Sequence, residues 1–122
     1  MDGQVNLQTG IKHDGGKVRM DLLSPFALEE IARVMTVGAT KYGDNNWRGG
    51  LLWSRVFSAL MRHAWAYWRG ENFDPETGLN HLAHCGCCIM FLLEYSKSHP
   101  ELDDRYGASN ETNAKHRANL PY

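Results

Sequence analysis

Three stretches of the chain carry apolar residues at the 3.6-residue spacing of an α-helix, and each ends at a residue that stops helices. No stretch alternates apolar and polar residues as a half-buried strand would. The economical fold is therefore all-α, helix packed on helix. In the first stretch the repeat runs through Ala27, Leu28, Ile31, Val34, Met35 and Val37. Ser24-Pro25 ahead of it supplies an N-cap and a proline at the first helical position, and Gly43 offers a C-terminal stop. The spacing predicts a helix over Pro25–Tyr42.

The second repeat, from Val56 to Trp68, predicts a helix from about Trp53 to Arg69, ended by Gly70. The third predicts a helix from about Leu79 to Lys97, closed by Pro100. Between them lies ENFDPETG, residues 71–78, an acidic loop in which Asp74-Pro75 could cap a helical turn. A single domain over residues 1–122 is expected, with residues 1–23 a glycine-rich arm and residues 101–122 a polar tail. Three helices of this length bury little by themselves, so the four tryptophans point to packing across a subunit boundary. A self-contained bundle is the alternative.

Composition narrows the function. The formal net charge is -1, so no global basic field draws nucleic acid. No apolar run reaches the ~20 residues of a membrane span. Residues 1–10 lack the basic start and apolar stretch of a signal peptide. Cys85, Cys87 and Cys88 are too close together to pair with one another and read as reduced thiols in the core of a cytoplasmic protein.

Several groups of residues could carry chemistry. Glu71, Asp74 and Glu76 are three carboxylates in one loop, which repel unless a cation is shared; oxygen clusters of this kind suit Mg²⁺ or Mn²⁺. Taken alone, they read more simply as a solvated acidic loop that also caps the third helix. Glu30 and Lys41 lie close to three helical turns apart, about 16 Å along the axis and on nearly one side, so that helix could span a metal and a phosphate. His81 and His84 share a helix face, and His63 sits mid-way along the second helix. The arm KHDGGKVR brings Lys12, Asp14, Lys17 and Arg19 around two glycines that let backbone N–H groups approach an anion. KYGDNNWRGG, residues 41–50, combines turn formers with Lys41, Tyr42, Asn46 and Trp47, which can meet phosphate and a flat base.

The combination KxDxGKxR, GAxKYGxxNW and RGExxDxExGxxHLAH, over about residues 11–95, resembles the phage dATP/dGTP diphosphohydrolases, small all-α MazG-like nucleotide pyrophosphohydrolases of the MazZ type. The resemblance implies a MazG-like helical bundle with its site between helices of a homodimer or homotetramer. It implies a deoxynucleoside triphosphate substrate, attacked at the α-phosphate by metal-activated water to give the monophosphate and pyrophosphate. Two or three Mg²⁺ or Mn²⁺ ions per site would serve it, with dGTP the first choice of base and dATP the second. In a phage that builds 2-aminoadenine, the dGMP would feed synthesis of that base, in the host cytoplasm.

Where the wider MazG group carries ExxD, this chain reads His81-Leu82-Ala83-His84, so the carboxylates must come from elsewhere. The expected metal ligands are Glu30, Glu71, Asp74 and Glu76. The expected catalytic side chains are Glu30, Glu71, Asp74 and His84, and nucleotide contacts are expected from Lys12, Asp14, Lys17, Arg19, Lys41, Tyr42, Asn46 and Trp47. Two other readings compete: an HD-type phosphohydrolase built on His13-Asp14, and a non-enzymatic helical binding module.

Overall fold

The computed structural model describes residues 10–108 and 118–120, and among them there is no strand. The order is a 3-10 turn at Met20–Leu22, α1 over Pro25–Tyr42, a 3-10 turn at Asn46–Gly49, α2 over Trp53–Trp68, α3 over His81–Ser98, and a 3-10 turn at Pro100–Leu102. The fold is all-α.

Helix α1 begins and ends where its sequence says. The Ser24 hydroxyl accepts from the Ala27 N–H at 3.1 Å, and Gly43 closes the helix at φ 93°, its N–H donating to the Ala39 carbonyl. Helix α3 starts two residues later than its apolar pattern suggests. The loop before it closes on itself: Phe73 pairs with Asn80 in an isolated antiparallel bridge, and the His81 N–H donates to the Asn72 carbonyl at 2.9 Å. That pairing holds Leu79 and Asn80 outside the helix, and Asn80 becomes its N-cap. Asp74 caps a single helical turn, as its sequence suggests, with its carbonyl accepting from the Gly78 N–H at 2.7 Å. Its Oδ1 accepts from the N–H groups of Glu76 (2.7 Å) and Thr77 (3.0 Å), which makes a tight side-chain-closed turn.

Both α1 and α2 pack on α3. On one side Val34 meets Ala83 and Cys87, flanked by Ile31, Met35, Leu79 and Phe91. Gly86 lets α1 come close, because a Cβ there would lie 2.6 Å from Ile31 Cδ1. On the other side Trp53 and Val56 meet Tyr95, flanked by Trp47, Cys88, Phe91, Leu92 and Leu102. His63 near the end of α2 faces the start of α3, and Trp53 at its start faces the end, so α2 and α3 run antiparallel. Tyr95, fully buried, donates its hydroxyl to the Trp47 carbonyl at 2.6 Å and ties residues 46–49 to α3. The cysteines are free; Cys85 and Cys87 are buried, and burial pushes Cys87 up to about 12 and Cys88 to about 11.

The segment after α3 returns to α2. Leu52, ahead of α2, provides no side-chain cap. Asp104 supplies one from a distance, accepting from the Ser54 N–H at 2.9 Å and from its hydroxyl. Trp53 Nε1 donates to the His99 carbonyl at 3.2 Å, and the Arg105 guanidinium lies over the Trp53 ring. The expected polar tail is thus partly docked between residues 101 and 105; its residues 109–117 and 121–122, like residues 1–9 of the arm, lie outside the described residues.

Much apolar surface remains open. Phe57, Met61, Trp65 and Trp68 form a stripe along α2, with Trp68 78% exposed, and Leu82, Ile89 and Leu93 form one along α3. Each stripe lies about a quarter to a third of a turn, in the same rotational sense, from the line where the two helices touch. In an antiparallel pair both therefore emerge on the same side.

Candidate functional site

The loop closure that delays α3 also builds a cluster of charged and imidazole groups. His63 projects from α2 on the side that carries Val56 toward α3, and His81 is the first residue of α3. Their Nδ1 atoms lie 2.9 Å apart. On its other nitrogen, Nε2, His81 donates to Glu71 Oε1 at 2.7 Å. Asp74 Oδ2 lies 3.7 Å from His63 Nδ1, while its Oδ1 is held by the turn. His84, one turn into α3, stacks on His63 with ring centroids 4.3 Å apart, and its Nε2 meets the Thr77 hydroxyl at 2.8 Å. His81 is 3% exposed.

The electrostatics follow from burial. Burial pushes His63 and His84 below the ordinary histidine value, and each is pushed further by neighbouring imidazoles; Asp74 pulls the other way. For Asp74 burial raises the pKa, but the hydrogen bonds from Thr77 and Glu76 outweigh it and hold the carboxyl below its usual range. Burial thus favours the neutral form of His63 and His84 beside an ionised Asp74.

Among the described residues, His63, Asp74 and His81 are the one group of three or more His, Cys, Asp or Glu side chains whose donor atoms converge, all within 4.8 Å of one another. The four carboxylates expected to share a cation do not converge in that way. Glu71 reaches the cluster through His81. Glu76 is turned outward, 3.7 Å from Lys41 Nζ. Glu30 pairs with Arg33 at 3.2 Å on α1.

The expected nucleotide contacts divide as well. Lys41 and Tyr42 end α1 beside the acidic loop, Lys41 lying 5.1 Å from the centroid of the Tyr42 ring, which is 61% exposed. Asn46 is exposed. Trp47 is packed inward: Phe91 stacks on it at 4.5 Å and the Arg48 guanidinium lies 4.7 Å from its ring. Its ring serves the core. Lys12, Asp14, Lys17 and Arg19 lie on the exposed arm, where the Lys17 N–H closes a turn on the Asp14 carbonyl and Arg19 pairs with Asp21 at 2.7 Å. His13, the anchor of the HD-type reading, is exposed on the same arm, ahead of every helix.

These residues fall inside a recognisable family. A family model described as dATP/dGTP diphosphohydrolase, N-terminal, matches residues 8–105. The chain belongs to this family. A relative from Salmonella phage PMBT28, named dATP/dGTP diphosphohydrolase, is 41% identical over 97 residues, covering 80% of this chain and 33% of the relative. The chain spans about a third of that relative's length. No solved structure matches. The family match spans the whole histidine–carboxylate cluster and the Lys41-Tyr42 end of α1.

His63, His81 and Thr77 are the members of the cluster that the expected site lacked, the two histidines weighed as chemistry but not placed in it. His63 carried a legible signal: it continues the Val56–Leu60 side of α2, so packing on α3 had to bring it inward. Thr77 carried none, since only the folded loop aims it at His84.

Proposed function

We propose that this chain hydrolyses purine deoxynucleoside triphosphates, dGTP first and dATP second, to the monophosphate and pyrophosphate with the help of divalent cations. The observation that carries the reading is the family match over residues 8–105, joined to a relative of that name. The convergent His63, Asp74 and His81 support cation dependence. A dication held there would polarise a phosphoryl oxygen and offset the charge of the triphosphate. Mg²⁺ or Mn²⁺ would also travel with the triphosphate itself, held mainly by phosphate oxygens with one or two carboxylates, the part expected of Glu71 and Glu76; with them the ions would number two or three.

The chain's own groups divide the remaining work. Lys41 is exposed, 3.7 Å from Glu76 and beside the Tyr42 ring, surface contacts it can leave for a phosphate. Lys12, Lys17 and Arg19 on the arm would add charge to the same end. Tyr42 offers an open aromatic face for the base, the part expected of Trp47 or Tyr42, and Asn46 offers amide donors and acceptors. His84, kept neutral by burial and oriented by Thr77, can take a proton from the attacking water. A second copy of the chain packed on the α2–α3 apolar face would complete a homodimer or homotetramer. In a phage that builds 2-aminoadenine, the dGMP would feed that synthesis while dATP removal suppresses adenine.

The test is chromatography of products after incubation with each common dNTP, with Mg²⁺ or Mn²⁺ and again with chelator. Metal-dependent release of dGMP and pyrophosphate is expected. Release of nucleoside and intact triphosphate would establish HD-type chemistry instead, and no turnover of any nucleotide would leave a binding module. Turnover of neither purine would also remove the 2-aminoadenine role.

A further inference from the structure

We propose that His63, Asp74 and His81 form a site for a transition-metal dication, that Glu71 fixes the ring of His81 for it, and that this site discriminates against Mg²⁺. The proposal deepens the diphosphohydrolase reading and rests on it for the use of the ion, though not for its binding.

The donor atoms are already placed. Two nitrogens each about 2.1 Å from one ion sit about 3 Å apart when they approach it at right angles. His63 Nδ1 and His81 Nδ1 are 2.9 Å apart, with Asp74 Oδ2 3.7 Å from the first. Hydrogen bonding decides which lone pairs are available. The Glu71 carboxylate only accepts, so His81 Nε2 carries hydrogen and, in the neutral ring, the lone pair is on Nδ1. His63 Nδ1 donates to that lone pair in the metal-free state. When a cation enters, the single ring proton of His63 moves to Nε2 by exchange with solvent, and both Nδ1 lone pairs face the ion. No net proton leaves the pair. The turn fixes the third donor in the same manner: Glu76 N–H and Thr77 N–H hold Asp74 Oδ1 and leave Oδ2 toward the histidines.

Donor chemistry selects the ion. Mg²⁺ demands near-octahedral oxygen coordination and gives up water reluctantly, whereas two imidazoles and one carboxylate suit Mn²⁺, Fe²⁺, Co²⁺ or Zn²⁺. The nearby thiols do not compete, since Cys87 and Cys88 are pushed up to about 12 and about 11 by burial and stay protonated at neutral pH.

The experiment titrates tag-free protein with Co²⁺, without nucleotide, by visible absorption and calorimetry. The expected result is one Co²⁺ per chain with a ligand-field band that a roughly hundredfold excess of Mg²⁺ leaves unchanged. His63→Gln, at a partly exposed position, should keep the helical circular dichroism and lose the band. Glu71→Ala should weaken Co²⁺ by about 10- to 100-fold, with Glu71→Gln recovering part of the loss, as expected of a residue that positions a ligand. A wild-type chain that binds no Co²⁺, a His63→Gln chain that binds it undiminished, or a band erased by Mg²⁺ overturns the proposal. Mg²⁺-supported dGTP hydrolysis without a Co²⁺ site would sink this proposal alone. A Co²⁺ site without hydrolysis of any dNTP would sink the diphosphohydrolase reading alone.

Discussion

At Gly50 the backbone takes φ 99° and ψ 141°, a conformation open to glycine and strained for other residues, and a Cβ would lie 2.6 Å from Leu102 Cδ1. Gly50→Ala should therefore cost about 1–3 kcal/mol, read as a lowered denaturation midpoint with an unchanged slope. Asp74 is constrained in a different way, because one oxygen holds the loop and the other faces the histidines. Asp74→Asn keeps an oxygen for the turn and removes the charge, so turnover should vanish while the melting curve changes little. Turnover that survives would strike Asp74 from the site. Single residues also mark the limit of what could be read in advance. Asp74 and the His81-His84 pair were visible as chemistry, since their types and spacing are unusual. The inward packing of Trp47 and the outward turn of Glu76 were not, because aromatic and acidic residues in a glycine-rich loop take their direction from tertiary contacts.

At the scale of elements, α1 followed its local signals from Ser24 to Gly43, and α2 followed its apolar repeat. Local caps and periodicity are short-range physics, so they are legible in a sequence. The late start of α3 depends on the Phe73–Asn80 bridge, and the cap of α2 comes from Asp104, fifty residues from Ser54; neither leaves a local trace. His99 joins these distant pieces. Its Nδ1 faces the Glu101 carboxylate at 2.8 Å and its Nε2 the Arg48 carbonyl at 2.7 Å, so both nitrogens donate and the charged ring is favoured. The Glu101 hydrogen bond, aided by the Arg48 carbonyl, raises the His99 pKa above its ordinary value. A raised folded-state value contributes stability that is complete below the unfolded value near 6.5 and is lost as pH rises through the folded value. The melting temperature should accordingly carry a decline above about pH 6.5 that His99→Gln lacks. An identical pH profile in the variant would assign the effect elsewhere.

Among the described residues, α1 and α2 pack on α3 and leave a half-open apolar exterior. Trp65 and Trp68 on α2 and Leu93 on α3 are each more than half exposed, on one side of the antiparallel pair. Exposed aromatic surface of this extent is normally covered by a partner. If the proposed dimer or tetramer forms on that face, Trp65→Glu should shift it toward monomer in sedimentation, with the helical content kept. A wild-type chain that sediments as a monomer would leave the face to another partner. The three long helices among the described residues and the all-α class were legible because each of these helices is amphipathic; the way the chain completes its surface was not, because one sequence records only that a face is apolar.

The central claim is that water attacks the α-phosphate of a purine deoxynucleoside triphosphate. The most direct test is turnover of dGTP in ¹⁸O-labelled water, followed by mass spectrometry of both products. The account predicts that the label enters dGMP and that pyrophosphate stays unlabelled. Label in a released phosphate or pyrophosphate, or nucleoside released with intact triphosphate, would contradict it.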